Sequence, residues 1–301
     1  MMHRRSFLQS LAATAATAAF SDLLAQIDPG WKGRIGLELY TVRDLLPTDY
    51  EGVLAKIAAM GYKEVEPADP YNNMQPKQYR ALLDKYGLTM PSTHSGATAG
   101  PDLEKQLEGF QIMGLKYTEI RGGPGGGGGR GARTVDTIAK SAAQLNEHGK
   151  IAKKFGMKML VHNHTVEFEP LEGSMKTQYD VLLAETDPDL VAMQLDIGWA
   201  TVAGQNVLEM FAKTPGRFEL WHVKDAIDTK KLDPKMTPTQ RQRAAHLCPV
   251  GLGDIDYKPI FAAAKQAGLK HFVIEQDNAA AWGDSVAAAK VSYQNLAKIL
   301  S

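Results

Sequence analysis

A closed (β/α)8 barrel is the fold that this sequence predicts, and three observations point to it. Short apolar or β-branched runs alternate with longer helix-patterned segments from residue 34 to the end of the 301-residue chain, eight of each. Five helical segments stop at a glycine (Gly61, Gly87, Gly114, Gly156 and Gly268), and the next apolar run starts two or three residues later, the spacing of a left-handed helix cap. The competing fold, an open doubly wound sheet, would carry a glycine fingerprint after its first strand. "LELYTVRDLL" has none.

In chain order, residues 1–26 stand outside the barrel expected over 34–301. "MMHRRSFLQSLAATAATAAF" joins a basic start (His3, Arg4, Arg5) to an Ala-rich run too short to cross a bilayer. It reads as a removable export signal, and Arg4-Arg5 before Ser6, Phe7 and Leu8 resembles the twin-arginine type. A periplasmic or exported protein follows, with no membrane span once mature. The expected strands are 35–41, 64–68, 89–94, 117–122, 158–164, 192–198, 219–225 and 271–277. The expected helices lie near 49–60, 76–86, 102–113, 135–155, 175–185, 205–213, 257–267 and 284–299. "RGGPGGGGGRGART" (121–134) lacks the flanking context of a phosphate-binding loop and reads as a loop over the barrel mouth, a lid. Residues 228–247 are long and charged for a βα connection and read as an excursion beside the mouth. In "CPVGLGDIDY" (248–257) the glycines allow close backbone approach, while Asp254 and Asp256 read as helix caps first and site residues second.

Composition narrows the chemistry. With 44% hydrophobic residues the chain can bury a large core. Lys plus Arg equals Asp plus Glu at 34 each, so no net field draws nucleic acid or an anionic membrane. The single cysteine, Cys248, excludes an internal disulfide and a cysteine-based zinc site, leaving His, Asp and Glu as metal ligands.

Barrel sites form at the C-terminal strand ends, and here every predicted strand ends in ionisable or hydrogen-bonding residues: Glu38 and Tyr40, Glu66, His94, Glu119 and Arg121, His162 with His164 and Glu167, Asp196, His222 with Lys224 and Asp225, and Glu275 with Asp277. Any one of these taken alone is equally well a satisfied polar group or a helix cap. Converging on one ring, they call for a divalent cation to reconcile their charges. Imidazole and carboxylate without sulfur suit one transition metal, Mn2+, Zn2+, Co2+ or Fe2+. The expected ligands are His162, Asp196, His222 and Glu275.

"IGLELYTVRD", "GYKEVE", "HNHTVEFE", "LDIGWATVAG", "WHVKDA", "VGLGDIDY" and "VIEQD" together resemble the xylose isomerase-like barrel superfamily of sugar phosphate isomerases and epimerases, over roughly residues 34–300. That group is similar to ketose 3-epimerases and inosose dehydratase and, more distantly, to the endonuclease IV class. The resemblance implies a metal held by a Glu, an Asp, a His and a Glu after the last four strands, the last three falling on Asp196, His222 and Glu275. The first is His162-Asn163 here, so either His162 ligates or Glu167 reaches in from the loop. Trp199 replaces a histidine of the endonuclease-type relatives, and with no basic surface nucleic acid is not the expected partner. The resemblance also implies barrels paired as a homo-oligomer.

These readings converge on a metal-dependent isomerase, epimerase or lyase. It would remove a proton next to a carbonyl of a small carbohydrate (a free sugar, keto-sugar or 3-keto-glycoside), the cation stabilising an enediolate. Glu275 is the first candidate base, followed by Glu167, His164 and Lys224, and Lys224 also suits a developing oxyanion. Glu66, His94, Glu119 and Arg121 are expected to grip hydroxyls, with Trp199 or Trp221 as an apolar wall. The rival is a noncatalytic periplasmic sugar-binding barrel that retains the metal, suggested by His162 standing where relatives carry a carboxylate.

Overall fold

The computed structural model of the chain describes residues 27–68, 71–123 and 133–301. The expected export signal and most of the glycine-rich loop lie outside the described residues. Seven parallel strands form one sheet in the order β2-β1-β9-β6-β5-β4-β3. They are β1 (Gly36–Glu38), β2 (Glu64–Glu66), β3 (Tyr117–Thr118), β4 (Lys158–His162), β5 (Val191–Asp196), β6 (Leu220–Val223) and β9 (His271–Ile274). Helices Leu46–Met60, Pro76–Lys85, Leu103–Met113, Val135–Lys153, Gln178–Glu185, Val207–Lys213, Tyr257–Ala262 with Ala264–Ala267, and Ser285–Ile299 match the expected eight, the seventh in two pieces. Gly61 and Gly114 end their helices at φ 111° and 98°, a region that a side chain makes costly.

The expected third strand, 89–94, is not a regular strand. Pro91 has no N–H for a ladder, and the segment is instead stitched at single points. Thr89 bridges Glu64 and Ala97 bridges Ile120, while Pro91 O accepts from the Lys116 and Tyr117 amides and Pro67 O from the His94 amide. The expected seventh strand stops at Val223. Beyond Lys224 the chain pairs antiparallel, β7 (Asp225–Ile227) with β8 (His246–Cys248), and frames the excursion. Within that excursion helix Pro238–Ala244 docks on the loop after β4, where Glu169 accepts the Thr239 amide at 3.0 Å.

Most buried apolar side chains lie in one large cluster, to which β6 contributes Trp221 and Val223, while Tyr117, Leu160, Ala192 and Leu220 form a separate small one. Strand parity separates the two sets. Leu220 and His222 share one face of β6, and Trp221 takes the other, stacked on Phe211 at 5.1 Å. Trp221, one of the two expected apolar walls, is therefore core. Each such side chain contributes about 2–3 kcal/mol by burial, which fixes the strand ends that carry the polar ring.

Candidate metal centre

β4 and β5 end on His162 and Asp196, His222 is the third residue of β6, and Glu275 directly follows β9. Neighbouring registers place Asp196 opposite His222, and His162 opposite Gln194. The four side chains are buried, and one ligand atom from each falls within 4.8 Å of all the others. His222 Nδ1 lies 2.7 Å from Glu275 Oε2 and 3.8 Å from Asp196 Oδ2, and His162 Nε2 lies 3.6 Å from the same Asp196 oxygen.

A cation fits this set. His162 Nε2 is buried and has no hydrogen-bond partner, an arrangement that costs free energy unless something binds it, and Asp196 Oδ2, buried beside it, is ion-paired with the Lys224 ammonium at 3.1 Å. Ligand atoms about 2.1 Å from a tetrahedral ion sit about 3.4 Å apart, close to the 3.6 and 3.8 Å that separate Asp196 from the two histidines, while His222 and Glu275 are hydrogen-bonded directly at 2.7 Å. Asp196 is aimed by its other contacts. Its Oδ1 accepts the Trp199 amide at 2.7 Å and its own amide donates to Asn163 Oδ1 at 3.0 Å.

Lys224 stands beside the ring, fully buried, its ammonium 3.1 Å from Asp196, 2.9 Å from Glu275 and 2.6 Å from Asp277. Burial would lower its pKa, but the three carboxylates hold it well above the ordinary lysine value. The charge also lies 4.7 Å from the Trp199 ring centroid, a cation–π contact. Gly198 permits this approach, because a Cβ there would come within 2.7 Å of the Lys224 backbone oxygen.

Under the ring, Glu66 accepts from His222 Nε2 at 2.7 Å, Gln194 Nε2 at 2.8 Å and the Ser92 hydroxyl, and His94 Nε2, hydrogen-bonded to Gln194 Oε1 at 2.9 Å, stands 3.0 Å from it as an ion-pair partner. Burial raises its pKa, but His94 and His222 outweigh burial and hold it below the carboxylate range. His94 extends to Glu38 at 3.4 Å and toward Glu119 at 3.9 Å. Against burial, these carboxylates raise the His94 pKa. Burial and its carboxylate neighbour Glu275 raise that of Glu38. Asp196 is pushed up to about 6 by burial, against the pull of Lys224 and His222. Burial lowers His222, yet Glu275 and Glu66 carry it to about 9.

The remaining expected residues divide. His164 stands edge-on to His162 at 4.9 Å, half-buried, its pKa lowered to about 4 by burial and then by Lys224. Glu167 is buried in the turn Val166–Phe168, where it accepts the His164 amide at 2.8 Å. Trp199 lies 4% exposed beneath Lys224. Arg121 is turned to the 95–96 corner, donating to Gly96 O at 2.7 Å and Ser95 Oγ at 3.1 Å. Asp225 accepts the amides of Ala226, Gly251 and Gly253 and so ties down the glycine loop. Asp256 caps helix Tyr257–Ala262 as expected. Asp254 does not cap a helix but accepts the Thr229 amide and hydroxyl. Gln194 and Ser92 were not singled out by the sequence. Gln194 shares strand parity with Asp196, so a polar residue there inside an apolar run is the signal that marks it.

Residues 54–292 match the family described as Xylose isomerase-like TIM barrel. The inosose dehydratase of Geobacillus kaustophilus (strain HTA426) is 28% identical over 259 residues, 76% of this chain and 81% of that protein. A sugar phosphate isomerase/epimerase from Parabacteroides distasonis superposes with a TM-score of 0.68 at 21% identity, over 88% of this chain and 94% of its own. The IOLI protein, solved with a zinc atom, superposes at 0.65 and 16% identity, over 89% and 98%. The described residues contain no helix long and apolar enough to cross a membrane. The fold, the ordered strand-end motifs and the match across most of the chain agree: the protein belongs to the xylose isomerase-like TIM barrel family.

Proposed function

We propose that the protein is a metal-dependent enzyme that removes the proton next to a carbonyl on a keto-sugar or 3-keto-glycoside and expels the oxygen substituent one carbon further on. The observation that carries this is the buried ring His162, Asp196, His222 and Glu275, with His162 Nε2 orphaned, beside a buried ammonium. The similarity to inosose dehydratase over four-fifths of that enzyme supports elimination, and the zinc-bound IOLI protein supports a cation in this fold. A divalent ion held by the four residues would supply a Lewis acid for vicinal sugar oxygens.

The chain's own groups supply the rest. Two residues beyond His162, His164 is neutral at pH 7 and suited to accept the carbon-bound proton. Lys224 is a charged donor for the oxygen that gains negative charge. The electron pair of the broken C–H bond forms the new C=C double bond, the C–O bond one carbon further on breaks with its pair on oxygen, and the proton taken up by His164 passes to that departing oxygen. Glu275 is drawn on by Lys224 and His222, which hold it below the carboxylate range despite burial. That makes it a better ligand than base. Export by residues 1–26 belongs to the same proposal, and N-terminal sequencing of periplasmic protein checks it.

The test is elemental analysis together with proton exchange in D2O on a panel of keto-sugars and 3-keto-glucosides. About one transition metal per chain is expected in the wild type and in His164→Asn, and is lost in Glu275→Ala. His164→Asn should lower exchange and elimination by a factor of about 100 or more. Unchanged turnover after chelation would sink the reading. Exchange without loss of the β-oxygen would make the enzyme an epimerase, and sugar binding with no exchange would make it a binding protein.

A further inference from the structure

Seven large hydrophobic side chains are exposed among the described residues, and four of them stand on the chain segments that follow β1, β6 and β9. Tyr40 (39% exposed) lies two residues beyond Glu38, and Trp282 (45%) ends the turn Ala279–Trp282 that follows Glu275. Leu252 (48%) sits between the two glycines whose amides bind Asp225, and Ile227 (41%) ends β7. The strands behind them, β1, β9 and β6, are adjacent in the sheet and carry Glu38, Glu275 and His222. These segments therefore border the polar ring on the side of β1, β9 and β6.

Both aromatic rings are exposed and yet tethered. Trp282 Nε1 donates to Leu247 O at 3.3 Å. The Arg43 guanidinium covers one face of the Tyr40 ring at 3.8 Å and donates to Tyr40 O and Asp277 O, each at 2.8 Å. Asp277 in turn touches Lys224, so a short chain of contacts joins Tyr40 to the candidate centre. Rings held still at a mouth lose little entropy on stacking, which is what a binding platform requires. A free monosaccharide gripped by the polar ring leaves such a platform uncovered.

We infer that this shelf is an aglycone subsite, and that the preferred substrates are glycosides whose leaving group is aromatic. The inference rests on the proposed reading of the ring as the place that holds the sugar. The carbohydrate sits over His162, Asp196, His222 and Glu275, and the aryl group lies against Trp282 and Tyr40.

The experiment compares phenyl and methyl 3-keto-β-glucosides by calorimetry on metal-loaded protein slowed by His164→Asn, with positions 282 and 40 either wild type or changed by Trp282→Ala or Tyr40→Ala, and with the mass of each in solution measured by light scattering. With both positions wild type the protein should bind the phenyl compound roughly tenfold more tightly than the methyl one, the worth of one or two ring contacts. In either variant the ratio should fall toward one while methyl binding holds. Equal binding of the two compounds with both positions wild type, or a ratio unchanged in both variants, overturns the subsite and leaves the proposed function standing. Failure of both compounds to bind overturns the two together. A dimer that Trp282→Ala makes monomeric assigns the shelf to a second copy of the chain and overturns the subsite as well.

Discussion

Glu66 is the residue on which the geometry of the centre turns. With His222 Nε2 bound to Glu66, the other ring nitrogen is left facing Glu275 and Asp196, the outer-sphere arrangement that orients a metal-binding imidazole. Its three donors and its ion-pair partner His94 all come from protein, so we read Glu66 as a positioning residue. Glu66→Gln should weaken zinc binding by about 10- to 100-fold in a competitive chelator titration while far-ultraviolet circular dichroism stays unchanged. Affinity equal to wild type would refute the role. The ring itself was legible in the sequence because each member ends or nearly ends an apolar run. What the acids do for one another was not, since a carboxylate that buttresses and one that ligates look alike as letters. Gln194 was harder still, being neutral and flanked by apolar neighbours.

At the scale of elements, Asp225 couples the excursion to the barrel. One carboxylate, immediately after Lys224, holds the amides of Ala226, Gly251, Gly253 and Ile255, and Gly253 lies so close that a Cβ would come within 2.1 Å of it. Asp225→Ala leaves those N–H groups without an acceptor and should cost about 2–4 kcal/mol in urea unfolding. Gly253→Ala should disturb the same carboxylate and lower turnover, through displacement of Lys224, more than it lowers stability. An unchanged rate in Gly253→Ala would separate the loop from the site. The helices and their glycine stops were readable because periodicity and backbone conformation are local. The segment around Pro91 was not, because its apolar pattern fits a strand while its hydrogen bonds depend on two distant neighbours. The hairpin β7–β8 was hidden likewise, since Asp225 reads as one more rim acid until its partners at 251–253 are in place.

Across the whole molecule the two ends of the barrel are built differently. Opposite the ring, buried Glu219 binds Lys158 at 2.5 Å, Lys270 at 2.9 Å and the Tyr117 hydroxyl at 2.8 Å. Burial raises its pKa, but these partners bring it below its ordinary 4.5. A lowered carboxylate contributes stability that is present above the unfolded value and lost as pH falls through the folded one. Stability should therefore decline below about pH 4.5, and Glu219→Gln should flatten that decline while costing about 1–3 kcal/mol at pH 7. Parallel acid-unfolding curves for the two proteins would count against it. The closed form of the fold was legible from the eightfold alternation, since each βα unit repeats one local rule. The stitching of 89–97 between β2 and β3 gives that closed wall a seam with few rungs. Amide exchange should run fastest along it, so the barrel would breathe on the His94 side while β4, β5, β6 and β9 stay shut. Such a wall can open beside His94 and still keep His162, Asp196, His222 and Glu275 together.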